Sequence, residues 1–206
     1  MKILFVCTGN TCRSPMAEAL IKHKMPEVEV QSAGIFAGRN ERPNSKAMEA
    51  LKQQGITLDS KSQPVTDNLL YWSDLVITMT TQHKQSLIMQ YPNFQDKYFT
   101  LKEYVSEADK KIWNELKKAY ADYEEKRSQF IQENERELDN PSLQDKISSY
   151  LHDDIEHIKS LEANLINYDI SDPFGGDLPT YQKTLTELEK YIDLLREKIA
   201  KDNPNT

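Results

Sequence analysis

Cys7 and Arg13 stand six positions apart in the run Cys7-Thr8-Gly9-Asn10-Thr11-Cys12-Arg13-Ser14-Pro15. The pair joins a thiol nucleophile to a planar cation whose parallel N–H groups match phosphate oxygens, as a lysine point charge does not. Gly9 and Asn10 are residue types that tolerate left-handed backbone. Successive N–H groups in such a turn form a nest for a tetrahedral oxyanion. In that positive field the Cys7 sulfur is expected to ionise readily, with the Ser14 hydroxyl donating to it. The chemistry this arrangement suits is nucleophilic attack on phosphorus, with the electrophile held in line above the sulfur.

A bare Cys-x5-Arg recurs by chance, so the elements around it matter. The apolar run Ile3, Leu4, Phe5, Val6 ends abruptly at Cys7. After Arg13 a one-sided pattern (Met16, Ala17, Leu20, Ile21) reads as a helix, with Pro15 in its first turn. Buried strand, tight loop and helix start thus fall within about a dozen residues, and helix-start N–H groups face an anion.

The segment Val6 to Pro15 resembles the phosphate-binding loop of the low-molecular-weight protein-tyrosine phosphatases, and more closely that of their bacterial protein-arginine-phosphatase branch. Ser32-Ala33-Gly34, the segment through His83 and Lys84, and Leu101 to Val105 also fit this family. The resemblance spans about residues 1–105 and 169–200. It implies Cys7 as nucleophile, Arg13 as phosphate clamp and Asp172, in Asp172-Pro173-Phe174-Gly175-Gly176, as general acid and then base. Outside this context Asp-Pro reads as a turn or helix cap. Asp169 is expected to be structural.

Further implications concern the substrate. Thr8, Gly9, Asn10, Thr11, Cys12 and Ser14 would hold the phosphate, and Phe174 would border the substrate, without a metal or cofactor. The implied activity is hydrolysis of phosphoarginine on proteins through a thiophosphate intermediate; phosphotyrosine with the same mechanism is the alternative. Thr11, where tyrosine-directed relatives carry a bulkier aliphatic residue, would make room for a planar guanidinium; otherwise it is a packing choice. Cys12 reads either as a redox partner for Cys7 or as a small buried side chain. Phe36 reads equally as cleft wall or core cover, and lone His83 as structural.

Composition narrows the classes. The chain has 206 residues, 38% hydrophobic and 29% charged, enough for one sizeable core and an appended subdomain. Net charge −7 disfavours nucleic acid and anionic membrane surfaces as partners. No apolar run is long enough for a membrane span, and two cysteines inside an anion loop make no secreted framework. A cytoplasmic protein is expected. A zinc site lacks further ligands, and an arsenate reductase would need more cysteines to relay electrons.

Later segments set the architecture. Val28 to Val30, Asp74 to Met79 and Tyr98 to Leu101 read as strands; Asn44 to Gln54 and Asp67 to Trp72 read as helices. Together with the resemblance, they imply a doubly wound, flavodoxin-like α/β domain over 1–105 and 169–206. Its four-stranded parallel sheet is expected in the order 2-1-3-4, with helices on both faces and the site at the strands' carboxyl ends.

Residues 106–168 fall outside the resemblance. They hold 15 Asp/Glu and 9 Lys/Arg, so nearly all the net acidity lies here. Ile112, Leu116, Tyr120, Tyr123 and Phe130-Ile131 suit one long helix; Asp139-Asn140-Pro141 suits a turn; Leu143 to Leu165 gives a heptad-like seam. An inserted α-helical hairpin follows, able to cap the cleft, gate protein substrates or mediate self-association. A pure interaction module acting through this hairpin is the non-enzyme alternative. A last amphipathic helix carries Leu185, Leu188, Ile192, Leu195 and Ile199, before an end expected to fray from Asp202.

Overall fold

The structure, a computed structural model, describes residues 1–106, 109–134, 143–163 and 167–202. Strands β1 (Lys2–Cys7), β2 (Glu29–Gly34), β3 (Leu75–Thr78) and β4 (Tyr98–Thr100) form one sheet in the order β2-β1-β3-β4. Every pairing is parallel, and β1 is central, with Cys7 opposite Gly34 and Phe5 opposite Ile77. Ile3 to Val6 are fully buried, as a strand covered on both faces requires.

Alternation along β1 divides the core in two. Ile3 and Phe5 face α1 (Arg13–Lys24), α2 (Ser45–Gln53) and α9 (Leu178–Asp202). Leu4 and Val6 face α3 (Asp67–Trp72) and α4 (Thr81–Gln90). The doubly wound order and the helices on both faces are as the sequence reading expects. Strand boundaries differ in places: β2 runs on past Val30 to Gly34. Leu101 does not extend β4 but opens α5 (Leu101–Val105), where the Thr100 hydroxyl accepts from Glu103 N at 3.2 Å. Side-chain capping by Thr competes with strand continuation at such a point.

Contacts divide the chain into two compact units, residues 1–105 with 168–206, and residues 106–167. The second unit contains α6 (Asp109–Glu133), α7 (Leu143–Tyr150) and α8 (His152–Ala163). Leu116 and Ala119 near the start of α6 pack on Ile158 and Leu161 near the end of α8. Phe130 and Ile131 meet Ile147 and Leu151. These pairings make α6 antiparallel to α7 and α8. The second arm is not one continuous helix: it turns at Leu151, although Leu151 N and Ile155 N still reach the carbonyls four residues back, each at 2.9 Å. The expected turn at Asp139 to Pro141, Leu165 and the fraying end after Asp202 lie outside the described residues. No helix among the described residues is long and apolar enough to cross a membrane.

The sheet's carboxyl edge carries one tight approach. A Cβ added at Gly34 would lie 2.6 Å from the Thr8 carbonyl oxygen and 2.8 Å from Asn10 N, both backbone atoms that cannot swing away. Gly34→Ala is expected to lower stability by about 1–3 kcal/mol, the usual cost of overpacking, read as an earlier thermal unfolding midpoint.

Candidate active site

β1 ends at Cys7, α1 starts at Arg13, and the five residues between turn the chain back on itself. The left-handed residue of this loop is Asn10, at φ 53°, and not Gly9. Asparagine accepts that conformation because its short amide can bond locally. The loop carbonyls point outward: Cys7, Thr8 and Thr11 accept from Ile35 N, Phe36 N and Asn44 N at 3.0, 2.9 and 2.8 Å. Turning carbonyls out leaves successive N–H groups available on the inner side, the form of an anion nest.

A buried hydrogen-bond chain lies beneath the loop. Glu18, only 6% exposed, accepts from the Ser32 hydroxyl at 2.5 Å and from Lys22 Nζ at 2.5 Å. A carboxylate only accepts, so Ser32 spends its hydrogen there and accepts in turn from Asn10 Nδ2 at 2.8 Å. The same amide donates to Ser14 Oγ at 3.0 Å, while Asn10 Oδ1 accepts from Gln63 N at 2.9 Å. Ser14 keeps its own hydrogen, with the Cys7 sulfur 2.9 Å away and the Ala33 carbonyl at 3.4 Å within reach. The side chains of Asn10 and Ser14 thus support the loop from below and do not line the cavity above it.

That cavity, about 290 Å³, is lined by Cys7, Thr8, Gly9, Thr11, Cys12, Arg13, Asp172 and Phe174. Arg13 is buried and donates Nη2 to Asp172 Oδ2 at 2.7 Å and Nη1 to the Ile170 carbonyl at 3.3 Å. Asp172 Oδ1 accepts from Phe174 N at 3.1 Å, and Gly176 N closes a turn on the Pro173 carbonyl at 2.9 Å. Gly175, at φ 78°, occupies the third position of that turn, where a positive φ is needed. Lys46 Nζ holds the turn's far end through the Gly176 carbonyl. The root of the acid loop is fastened too. Asp169 Oδ1 accepts from Thr81 N at 2.7 Å; Lys102 Nζ donates to the Asp169 carbonyl at 2.7 Å and pairs with Glu187, also at 2.7 Å. A larger groove of about 770 Å³ beside α2, lined by Met48, Lys52, Ile56 and Leu58 among others, contains neither cysteine.

Cys12 borders the same cavity, and its sulfur lies 3.4 Å from the buried Tyr181 hydroxyl. Burial, above the other causes, raises its thiol above the ordinary range, and the nearby Cys7 and Asp172 add to this. Both cysteines are free thiols. Among the described residues no group of His, Cys, Asp and Glu could hold a metal ion.

The chain is similar to known proteins. A family model described as low molecular weight phosphotyrosine protein phosphatase matches residues 2–146. The chain belongs to that family. It is similar to a protein-arginine-phosphatase of Bacillus subtilis, 41% identical over 98% of this chain and 99% of the relative. The solved YwlE arginine phosphatase from Geobacillus stearothermophilus is 32% identical, with TM-score 0.68 over 98% of this chain and 94% of that one. A YwlE structure described as a "C7S mutant with phosphorylated active site serine" is 33% identical, with TM-score 0.68 over 99% of both chains.

In this low molecular weight phosphatase, sequence reasoning missed two supporting residues, Glu18 and Tyr181, and read His83 only as structural. Glu18 was legible only as a polar residue on the inner side of an otherwise apolar helix face. His83, buried at the start of α4, places Nε2 2.8 Å from the Thr8 hydroxyl. Burial, then the charge of Arg13, lowers its pKa from the ordinary 6.5 to about 4. Between about pH 6.5 and 4 the unfolded chain therefore binds a proton that the folded chain refuses, and acid favours unfolding until the folded value is reached. His83→Gln is expected to flatten the fall of the unfolding midpoint across that window, measured as thermal melts against pH for both proteins.

Proposed function

We propose that this phosphatase is a cysteine-dependent protein-arginine phosphatase. The observation that carries the reading is that Cys7 and Arg13, from one loop, and Asp172, 159 positions after Arg13, line one cavity over that outward-turned loop. Likeness along nearly the whole chain to protein-arginine-phosphatases favours phosphoarginine over phosphotyrosine as the substrate.

The Cys7 sulfur attacks phosphorus, and an S–P bond forms as the P–N bond breaks. Arg13 and the loop N–H groups hold the equatorial oxygens, where positioning and charge stabilisation supply most of the acceleration. A bound phosphoryl group competes with Asp172 for the Arg13 fork. Asp172 is then the group left to carry the proton that the departing guanidino nitrogen takes. Water, giving a proton back to Asp172, attacks the thiophosphate and releases phosphate. Ser14 steadies the sulfur as it leaves.

The alternative is phosphotyrosine hydrolysis by the same steps, which the family's own description favours. Thr11, half-buried on the cavity wall, is the residue we assign to the choice. The reading carries with it phosphorylated proteins as substrates and a reducing, cytoplasmic location that keeps both thiols free. For the hairpin of residues 106–167 we propose an accessory role in selecting basic protein substrates or in self-association, supported by its concentrated negative charge and apolar seam.

Assays on phosphoarginine and phosphotyrosine test the reading side by side. Cys7→Ser is expected to abolish turnover of both, and Asp172→Asn to lower kcat by about 10²–10⁴-fold, the usual worth of a general acid. Thr11→Ile is expected to raise the phosphotyrosine-to-phosphoarginine ratio of kcat/KM; an unchanged ratio removes Thr11 from the account. Replacing residues 107–167 by a short linker should lower kcat/KM on protein substrates, or alter the oligomeric state, while sparing free phosphoarginine.

A further inference from the structure

Thr8 follows the nucleophile directly and, unlike the buried Cys7 and Arg13, is exposed on the cavity wall. Its Oγ1 lies 2.8 Å from His83 Nε2, and either atom could in principle supply the hydrogen. The rest of the ring decides which one does. His83 is 7% exposed, and its Nδ1 is buried with no hydrogen-bond partner among the described residues. The ring is neutral over the physiological range, so one nitrogen alone carries hydrogen. Were that Nδ1, a buried N–H would be left unbonded; were it Nε2, only a lone pair is left over. Orphaned buried N–H groups are the rarer and costlier of the two. His83 therefore donates from Nε2 to Thr8 Oγ1.

A hydroxyl has one hydrogen and two lone pairs. With one lone pair taken by His83, the hydrogen of Thr8 remains unspent at the cavity wall. The geometry points to the Thr8 hydroxyl as a side-chain hydrogen-bond donor to the transferred phosphoryl group, with His83 as the positioning residue that frees and aims its hydrogen. The leaving guanidino group of phosphoarginine presents N–H donors, while phosphoryl oxygens accept, so a spare donor pairs with the phosphoryl end. The assignment rests on the phosphatase reading above. It makes Thr8 blind to what the phosphoryl group is attached to, in contrast with Thr11.

The test uses the full chain and a double-mutant cycle. Thr8→Val is expected to lower kcat/KM by about 10- to 100-fold, the worth of one hydrogen bond to a charged group, and equally on phosphoarginine and phosphotyrosine. It should weaken the binding of inorganic phosphate, measured by calorimetry, in the same direction, while Thr8→Ser stays near wild type. His83→Leu should lower kcat/KM alone yet add nothing in the Thr8→Val background, and His83→Gln, whose amide can donate near the same point, should restore most of the loss. A merely structural His83 would give losses that multiply in the double variant. Unchanged phosphate affinity in Thr8→Val, or multiplying losses in the cycle, overturns the assignment. Neither result touches the phosphatase reading, which stands or falls with wild-type turnover and its loss in Cys7→Ser; phosphate binding is measured independently of turnover.

Discussion

Asn10 is the residue on which the geometry of the loop depends. It is 2% exposed, left-handed, and uses both amide atoms: Nδ2 bonds Ser14 and Ser32, and Oδ1 takes Gln63 N. A strand that must become a helix within five residues, with its N–H groups inward, has few conformations open to it. Holding one of them costs backbone entropy, and a fully bonded buried amide offsets that cost. Hydrogen-bond polarity runs outward from this amide in both directions: to Ser32, which donates on to Glu18, and to Ser14, whose hydroxyl lies 2.9 Å from the Cys7 sulfur.

The acid has its own support, separate from the loop. Asp172 comes 159 positions after Arg13 yet reaches it at 2.7 Å, because the segment before it is fastened at several points. Ile170 N bonds the Met79 carbonyl at 2.8 Å, Thr81 N bonds Asp169, and Lys102 links the Asp169 carbonyl to Glu187, which also accepts from Ser171 N and its hydroxyl. Lys102 is 7% exposed, so losing either member of its pair with Glu187 would strand a charge with little water near it. Burial elsewhere near the site works on titration. It raises the Cys12 thiol and lowers His83, and it leaves the imidazole an uncharged hydrogen-bonding group beside Arg13.

The inserted unit follows a different logic. Among the described residues its buried side chains are few, chiefly Leu116, Ala119, Ile147, Leu151, Ile158 and Leu161, and its sequence is densely charged. Pairs such as Lys126 with Asp154, and the Tyr120 hydroxyl on Glu162, join its arms across the surface. Surface pairs of this kind contribute little individually, about 0–1 kcal/mol each. The seam supplies most of its cohesion. Leu151, between the two helices of the second arm, is fully buried.

Much of this was readable before any coordinates. Ile3 to Val6 running into Cys7, the small residues to Asn10 and the one-sided pattern after Arg13 specify a strand, a loop and a helix locally. Local order is what periodicity and turn chemistry report. The cysteine and arginine stood out by their types and spacing, whereas Asp172 was singled out by the family resemblance. What remained for tertiary structure was every relation with no period along the chain. The Thr8–His83 bond spans 75 positions and the Cys12–Tyr181 contact 169, and nothing in the spacing of those residues foretells either. That Asn10 rather than Gly9 takes the left-handed turn, that Glu18 orients the bonds beneath it, and that Leu101 leaves the strand were decided by which partners the packed fold brought within hydrogen-bond reach.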